Sequence, residues 1–133
     1  MDRLHDERGM VGKLAVIWIL VAALLVIAAI DGISIVIVRF HLADVATAAA
    51  SDGAADFRLN HDVASACEVA MTTIKTQDPS LKLGKGFCVI NTTTSDVTIT
   101  LHKEANTILA GRFGPTQKYA VVTDRETNRP SSV

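Results

Sequence analysis

The segment from Leu14 to Ile30 reads LAVIWILVAALLVIAAI and contains no charged or strongly polar residue. The apolar run then resumes as ISIVIV at positions 33–38. A helix needs about 20 apolar residues to cross the hydrocarbon core of a bilayer. A span from about Met10 to Ile30, or slightly beyond, meets this requirement, and we expect a transmembrane helix within residues 14–38.

Two other kinds of segment share such an apolar run, namely a buried helix of a soluble protein and a cleaved secretory signal. The apolar region of a signal is usually about 7 to 15 residues long and precedes a small-x-small cleavage site. This run is longer, and Asp31-Gly32-Ile33 does not resemble such a site. We therefore expect a retained, single-pass anchor.

The charges that flank the apolar run predict its orientation. Arg3, Arg8 and Lys13 precede it, whereas Arg39 follows it. Positive charge near a span favours the cytoplasmic side. We therefore expect residues 1–13 in the cytoplasm, an anchor in the cytoplasmic (inner) membrane and an extracytoplasmic C-terminal domain.

The composition argues against several classes of function. The chain has 133 residues, a formal net charge of −1 and no basic stripe, so nucleic-acid binding is not expected. Its four histidines show no ligand-like spacing, and no nucleophile and base are paired in a known motif. We expect neither an enzyme nor a metal or cofactor site, and we expect membrane lipid and protein subunits as partners.

Beyond the apolar run, the alanine-rich segment VRFHLADVATAAASDGAADF predicts that the helix continues as a stalk to about Phe57. Small side chains recur on it at helical spacing, at Ala43, Ala46, Ala50 and Ala54. Such a stripe allows close approach of another helix. The approaching helix could belong to a partner subunit or be the second helix of the same chain.

The next segment predicts a second helix. Asn60 can cap its N-terminus with Asp62 in the first turn, and Pro79 predicts an end near Gln77. Apolar residues then fall on one face, at Val63, Cys67, Ala70, Met71 and Ile74.

The remaining sequence predicts a small antiparallel sheet of about three strands, which makes the fold class α+β. We expect a hairpin turn at residues 93–96, a short helix over Glu104–Gly111 and a disordered polar tail over residues 124–133. The stalk and the domain together would occupy residues 39–123. The expected strands are Phe87–Asn91, Val97–Leu101 and Lys118–Thr123.

The two cysteines, Cys67 and Cys88, are 21 positions apart and form no CxxC motif. In an oxidising compartment, two cysteines of a small domain usually pair. We expect a disulfide that joins the second helix to the first strand.

Asp31 is the polar residue that fits the apolar run least well. A carboxylate at the centre of a bilayer costs about 2.5 to 3.5 kcal/mol on insertion scales. Asp31 could therefore lie at the membrane surface, or it could make an intramembrane polar contact with a basic group of another membrane protein.

The order of these features resembles the TadE/TadG-like proteins of the tight-adherence (Tad, or Flp) pilus system. The similarity extends over nearly the whole chain. The residues that carry it are Asp6-Glu7-Arg8-Gly9 before the apolar run, Asp31-Gly32 near its end, Arg39, the stretch Ala43–Ala50, Val97–Leu101, Ile108-Leu109, Phe113-Gly114 and Ala120-Val121-Val122.

The resemblance implies a minor pseudopilin-like, non-enzymatic structural or assembly component that packs its N-terminal helix against other pilus or assembly subunits. Many proteins of this type are cleaved after the glycine that corresponds to Gly9, and they carry glutamate five residues later. Here Leu14 occupies that position, so the chain more closely resembles unprocessed or actinobacterial-type relatives, and cleavage after Gly9 is not expected. The alternative function is a membrane-tethered extracytoplasmic binding or sensor accessory protein.

Overall fold

The computed structural model describes residues 4–110, 112, 114–115 and 121–128. Within these residues the chain forms two helices and three strands, and the fold is α+β as the sequence predicts. The elements are α1 (Leu4–Asn60), α2 (Val63–Gln77), β1 (Cys88–Asn91), β2 (Asp96–Glu104) and β3 (Val121–Asn128).

Helix α1 is continuous over 57 residues and is therefore about 85 Å long at 1.5 Å per residue. It extends three residues beyond the predicted end at Phe57, and His61 then leaves the helical conformation with a φ of 52°. Among the described residues, α1 is the one helix that is long and apolar enough to cross a membrane.

Burial divides α1 into two parts at Asp31. From Val11 to Ile30 every side chain is exposed except Ile27, which is half-buried. From Asp31 onward a buried stripe recurs every three or four residues, as expected for one helix face. The stripe comprises Asp31, Leu42, Val45, Ala46, Ala49, Ala50, Gly53, Ala54 and Phe57, with Ile35 and Val38 packed against the core. The folded domain thus begins at residue 31, inside the predicted span of residues 14–38.

The N-terminus of α2 is capped by Asp62 and not by Asn60, which corrects the sequence prediction. The Asp62 side chain accepts a hydrogen bond from the amide of Ala64 at 2.9 Å, whereas the Asn60 side chain donates to Asp56 within α1. Since α1 continues to Asn60, that residue has helical geometry and cannot cap the next helix.

Helix α2 ends at Gln77, as predicted, and its buried face is formed by Ala66, Ala70 and Ile74. The observed buried face is rotated by a fraction of a turn from the predicted one. Val63, which was predicted to be on that face, is exposed, and Cys67 is only half-buried. Ala66 replaces them in the contact with α1.

The three described strands form an antiparallel sheet in the order β1-β2-β3. In its register, Cys88 is opposite Ile99 and His102 is opposite Thr123. Residues 92–95 form the turn between β1 and β2, in agreement with the predicted hairpin. Side chains that alternate along β2 face α1 and complete the core, namely Val97, Ile99 and Leu101.

Strand β3 differs from the prediction of a strand over residues 118–123 followed by a disordered tail from Asp124. It extends from Val121 to Asn128 and pairs with β2 along its whole length. These residues are mostly polar, and their order comes from ladder hydrogen bonds and cross-strand pairs such as Thr98–Thr127, whose hydroxyls are 2.9 Å apart. Residues 118–120 and 129–133 lie outside the described residues.

The predicted disulfide between Cys67 and Cys88 is confirmed. Its Cα atoms are 5.9 Å apart, and it joins α2 to β1 across 21 residues of sequence. Closing a loop of this size contributes about 3 kcal/mol to stability, mainly by restricting the unfolded chain.

The alanine stripe of α1 packs inside the domain itself. Ala46, Ala50 and Ala54 are at most 3% exposed and belong to the same core cluster as residues of α2 and β2, while Ala43 is half-buried. A Cβ atom added at Gly53 would lie 3.1 Å from the carbonyl oxygen of Ala66 on α2. Of the two alternatives, the chain itself covers the stripe, through α2 together with the sheet, so its buried members are closed to a partner subunit.

Replacing Ala46 with leucine should therefore destabilise the folded domain by about 1 to 3 kcal/mol, because the added atoms overpack a closed core. The matched control is Ala55→Leu, the same substitution at an exposed position of α1. Chemical denaturation of the full chain in detergent micelles measures both. Equal stability of the two variants would contradict this packing.

Candidate functional site

The side chain of Asp31 is bound by a loop that comes from the opposite end of the sequence. Its Oδ1 accepts a hydrogen bond from the amide of Ile108 at 2.6 Å, and its Oδ2 accepts from Leu109 at 2.8 Å and Ala110 at 3.0 Å. Asp31 is 6% exposed. A buried carboxylate is tolerated when donors satisfy it, and three consecutive amides do so here.

A second contact holds the same loop to the next turn of α1. The hydroxyl of Ser34 donates to the carbonyl oxygen of Asn106 at 2.7 Å. We call Asp31, Ser34 and residues 106–110 the Asp31 clamp. It fastens the segment between β2 and β3 to α1 at the end of the exposed apolar run.

The Asp31 clamp corrects the prediction of a short helix over Glu104–Gly111. Residues 105–110 are not helical, because the amides of Ile108, Leu109 and Ala110 donate to Asp31 and not to carbonyls of their own segment. Within the chain, the Asp31 carboxylate accepts hydrogen bonds from backbone amides. Backbone amides leave no mark on a sequence, so sequence analysis found Asp31 but not its partner.

The face of α1 opposite Asp31 carries a row of bare apolar side chains, which we call the outer stripe. The exposed fractions are 59% for Ile33, 50% for Val36, 61% for Ile37 and 70% for Phe40. At 100° per residue these positions lie about 140° to 240° around the helix from Asp31. Between residues 31 and 40, one face of α1 thus belongs to the domain while the other remains apolar and uncovered.

A second polar cluster surrounds Asp78, which caps the C-terminal end of α2. The Nε2 atom of His41, on α1, lies 3.0 Å from Oδ2 of Asp78. Lys103, on β2, forms an ion pair with the same oxygen. Its Oδ1 accepts from both the amide and the hydroxyl of Ser80. This Asp78 cluster therefore joins α1, α2, β2 and the following loop.

The pKa of Asp78 lies well below its usual range. Burial of the carboxyl acts to raise the pKa, but the hydrogen bond from the Lys103 ammonium and those from Ser80 and His41 together outweigh it. Sequence analysis did not single out this residue, because its partners lie 25 and 37 positions away.

Ser80 and Lys103 lie close enough to resemble a nucleophile and its base, with 3.3 Å between Oγ and Nζ. A serine nucleophile needs a base that accepts its proton. Here the lysine donates to Ser80 and is paired with Asp78, while the Ser80 hydroxyl donates to Asp78. The hydrogen bonds in this cluster run in the direction that suits structural cross-linking.

The other histidines of the domain lie apart from one another. His102 Nδ1 is 2.8 Å from the hydroxyl of Thr123, and His61 makes an edge contact with the ring of Phe57. Across the described part of the chain, no three histidine, cysteine or acidic side chains are grouped as metal ligands would be. Gly9, the candidate cleavage position, lies within α1.

Comparison of the chain with descriptions of known protein families, with characterised proteins and with solved structures finds no match.

Replacing Asp78 with asparagine should lower the free energy of unfolding by about 1 to 3 kcal/mol near neutral pH, because Lys103 and Ser80 lose a charged acceptor. Since the folded pKa lies below the unfolded one, the contribution of the carboxylate is full above about pH 4 and is lost as the pH falls toward the folded value. The stability gap between parent and variant should therefore shrink in acid.

Denaturation of the full chain in micelles between about pH 3 and pH 7 measures this gap over the range in which a carboxyl titrates. The control is Glu68→Gln, an exposed carboxyl on α2. Two results would contradict the role of this cluster. One is a loss of unfolding free energy for Asp78→Asn that is no larger than the loss for Glu68→Gln, and the other is a loss that grows in acid.

Proposed function

We propose that this chain is a non-enzymatic structural or assembly component, of minor pseudopilin type, in a Tad/Flp-type pilus or related secretion machine. The observation that carries the proposal is the division of α1 into an apolar anchor and a domain wall that leaves the outer stripe bare. In this proposal the anchor crosses the cytoplasmic membrane with its N-terminus inside, and the domain lies outside.

The length of the unpacked part of α1 supports the anchor. Val11–Ile30 comprises 20 residues, which span about 30 Å and match the hydrocarbon core of a bilayer. The domain begins to pack on the next residue, Asp31. Arg3 and Arg8 precede this segment, Lys13 lies in its first turn and Arg39 follows it, and this excess of positive charge at the N-terminal end supports the proposed orientation.

The outer stripe supports a partner that packs along α1. Exposed apolar rows at helical spacing typically mark an interaction surface. Ile33, Val36, Ile37 and Phe40 continue the apolar surface of the anchor past the point where the domain begins. A partner helix that lies beside the anchor could therefore follow α1 for two to three further turns without meeting the domain.

The resemblance to TadE/TadG-like proteins supplies the identity of the proposed partners. The resemblance implies that the N-terminal helix packs against other pilus or assembly subunits. The alanine stripe, one of whose two expected partners was another subunit, is largely buried within the domain, so we assign the subunit contact to the outer stripe.

A second candidate function is the membrane-tethered binding or sensor protein. A surface pocket of about 370 Å³ beside the Asp78 cluster favours it. The pocket is lined by Ser80, Leu81, Lys82, His102, Lys103, Glu104 and Val121. Its mixed charges suit a small polar ligand, and in this case the outer stripe would have no protein partner.

A photo-crosslinking residue placed at Phe40 in cells should capture pilus-assembly subunits, because the proposed partner helix lies against this position. The same residue at Lys75, which is exposed on α2, should capture none of them. Mass spectrometry of the crosslinked products identifies the partners.

A second prediction of the same geometry is that Phe40→Glu reduces recovery of these subunits in mild detergent.

Equal capture from both positions, or no assembly subunit captured from Phe40, would contradict the proposed function. The binding alternative would instead be supported by a ligand that stabilises the protein and whose effect is lost on Lys82→Ala.

A further inference from the structure

We propose that the loop at residues 106–110 is a membrane-surface contact, with the Ile108 side chain in the headgroup–acyl boundary of the bilayer and Asp31 holding it there. This inference rests on the proposed anchor at Val11–Ile30. It concerns a lipid contact, which is separate from the proposed subunit contact on the outer stripe.

The loop lies beside α1 at the level of Asp31. Asp31 directly follows the last residue of the 20-residue unpacked segment. The amides of Ile108, Leu109 and Ala110 lie 2.6 to 3.0 Å from its carboxylate. The loop therefore lies where the unpacked segment ends, which is the outer edge of the hydrocarbon core in a bilayer that encloses Val11–Ile30.

The second step is the composition and exposure of the loop. Residues 105–110 read ANTILA and carry no charge. Ile108 is 50% exposed although its own amide is tightly bound, so it presents an apolar side chain outward at this level. The next described cation after the loop, Arg112, is exposed and suits the phosphate layer above the boundary.

The third step is the backbone. Irregular segments are costly at the edge of the hydrocarbon region, because amides that lose water need another acceptor. The Asp31 carboxylate satisfies three consecutive amides of this loop. The loop can therefore enter a poorly hydrated boundary without leaving those donors unpaired, which a water-exposed loop would not require.

The fourth step distinguishes lipid from a protein partner. The loop binds the Asp31 side of α1, whereas the outer stripe lies on the opposite side. A partner helix on the outer stripe cannot cover Ile108. Lipid surrounds the anchor at this level and reaches both sides, and the loop is continuous with the anchor's apolar surface.

The test uses the full chain in vesicles of phosphatidylcholine and phosphatidylglycerol that carry a spin-label quencher at the shallow end of the acyl chain. Trp18 is the single tryptophan, so Trp18→Phe gives a dark background for one reporter at a time. Ile108→Trp is the reporter. The control is Leu59→Trp, at an 82% exposed aliphatic position about 42 Å further along α1.

The shallow quencher should remove about half of the emission from the Ile108→Trp protein, as expected for a side chain in the interface, and little from the Leu59→Trp protein. Adding Asp31→Ala to the Ile108→Trp protein should remove most of this quenching, because the loop loses its fastening. Mass spectrometry of the Cys67–Cys88 crosslink and circular dichroism verify that each variant is folded.

The native Trp18 separates failure of this inference from failure of the anchor. If a deep-chain quencher acts on Trp18 but the reporters at 108 and 59 are quenched equally, the loop does not contact lipid and the inference is overturned. If Trp18 is not quenched, the anchor and the inference fail together. Unchanged quenching after Asp31→Ala overturns the role of Asp31. Because the vesicles contain no other protein, none of these results depends on a pilus partner.

Discussion

The carboxylate of Asp31 accepts hydrogen bonds from three consecutive amides at the residue where α1 changes from a bare apolar rod to the wall of a folded domain. This interaction fastens the domain to α1 at residue 31, the first residue of the helix that packs against the domain. Together with the bond from Ser34 to Asn106, it fastens residues 106–110, which follow β2, to α1.

The rest of the domain consists of small contacts that allow close approach to α1. Alanines and Gly53 let α2 and β2 pack near the helix axis, the Cys67–Cys88 disulfide joins α2 to the sheet, and Asp78 links three elements through charged hydrogen bonds. All of this packing uses one face of α1. The opposite face keeps Ile33, Ile37 and Phe40 exposed, and this asymmetry suits a subunit that lies beside others in a membrane.

The features that follow from local pattern were predictable, and those that depend on distant partners were not. The apolar run, the end of α2 at Gln77 and the cysteine pair are visible in spacing and composition. Two errors have a common cause: the expected helix over residues 104–111 and the expected disorder from Asp124 were inferred from local composition. In the structure, the amides of residues 108–110 donate to Asp31 and so do not form a helix. Residues 124–128 pair with β2 as part of strand β3. Asp31 itself was identified because a lone carboxylate in an apolar run is conspicuous, whereas His41, Asp78 and Lys103 are ordinary residues until the fold brings them together.

Amide hydrogen exchange of the full chain in lipid nanodiscs tests most directly whether Asp31 fastens the loop at residues 106–110. The amides of Ile108, Leu109 and Ala110 should exchange slowly in the parent protein and much faster in Asp31→Asn, which removes the charge and one acceptor oxygen. The amides of β2 should be unaffected. Fast exchange at residues 108–110 in the parent protein, or no change in the variant, would contradict the account.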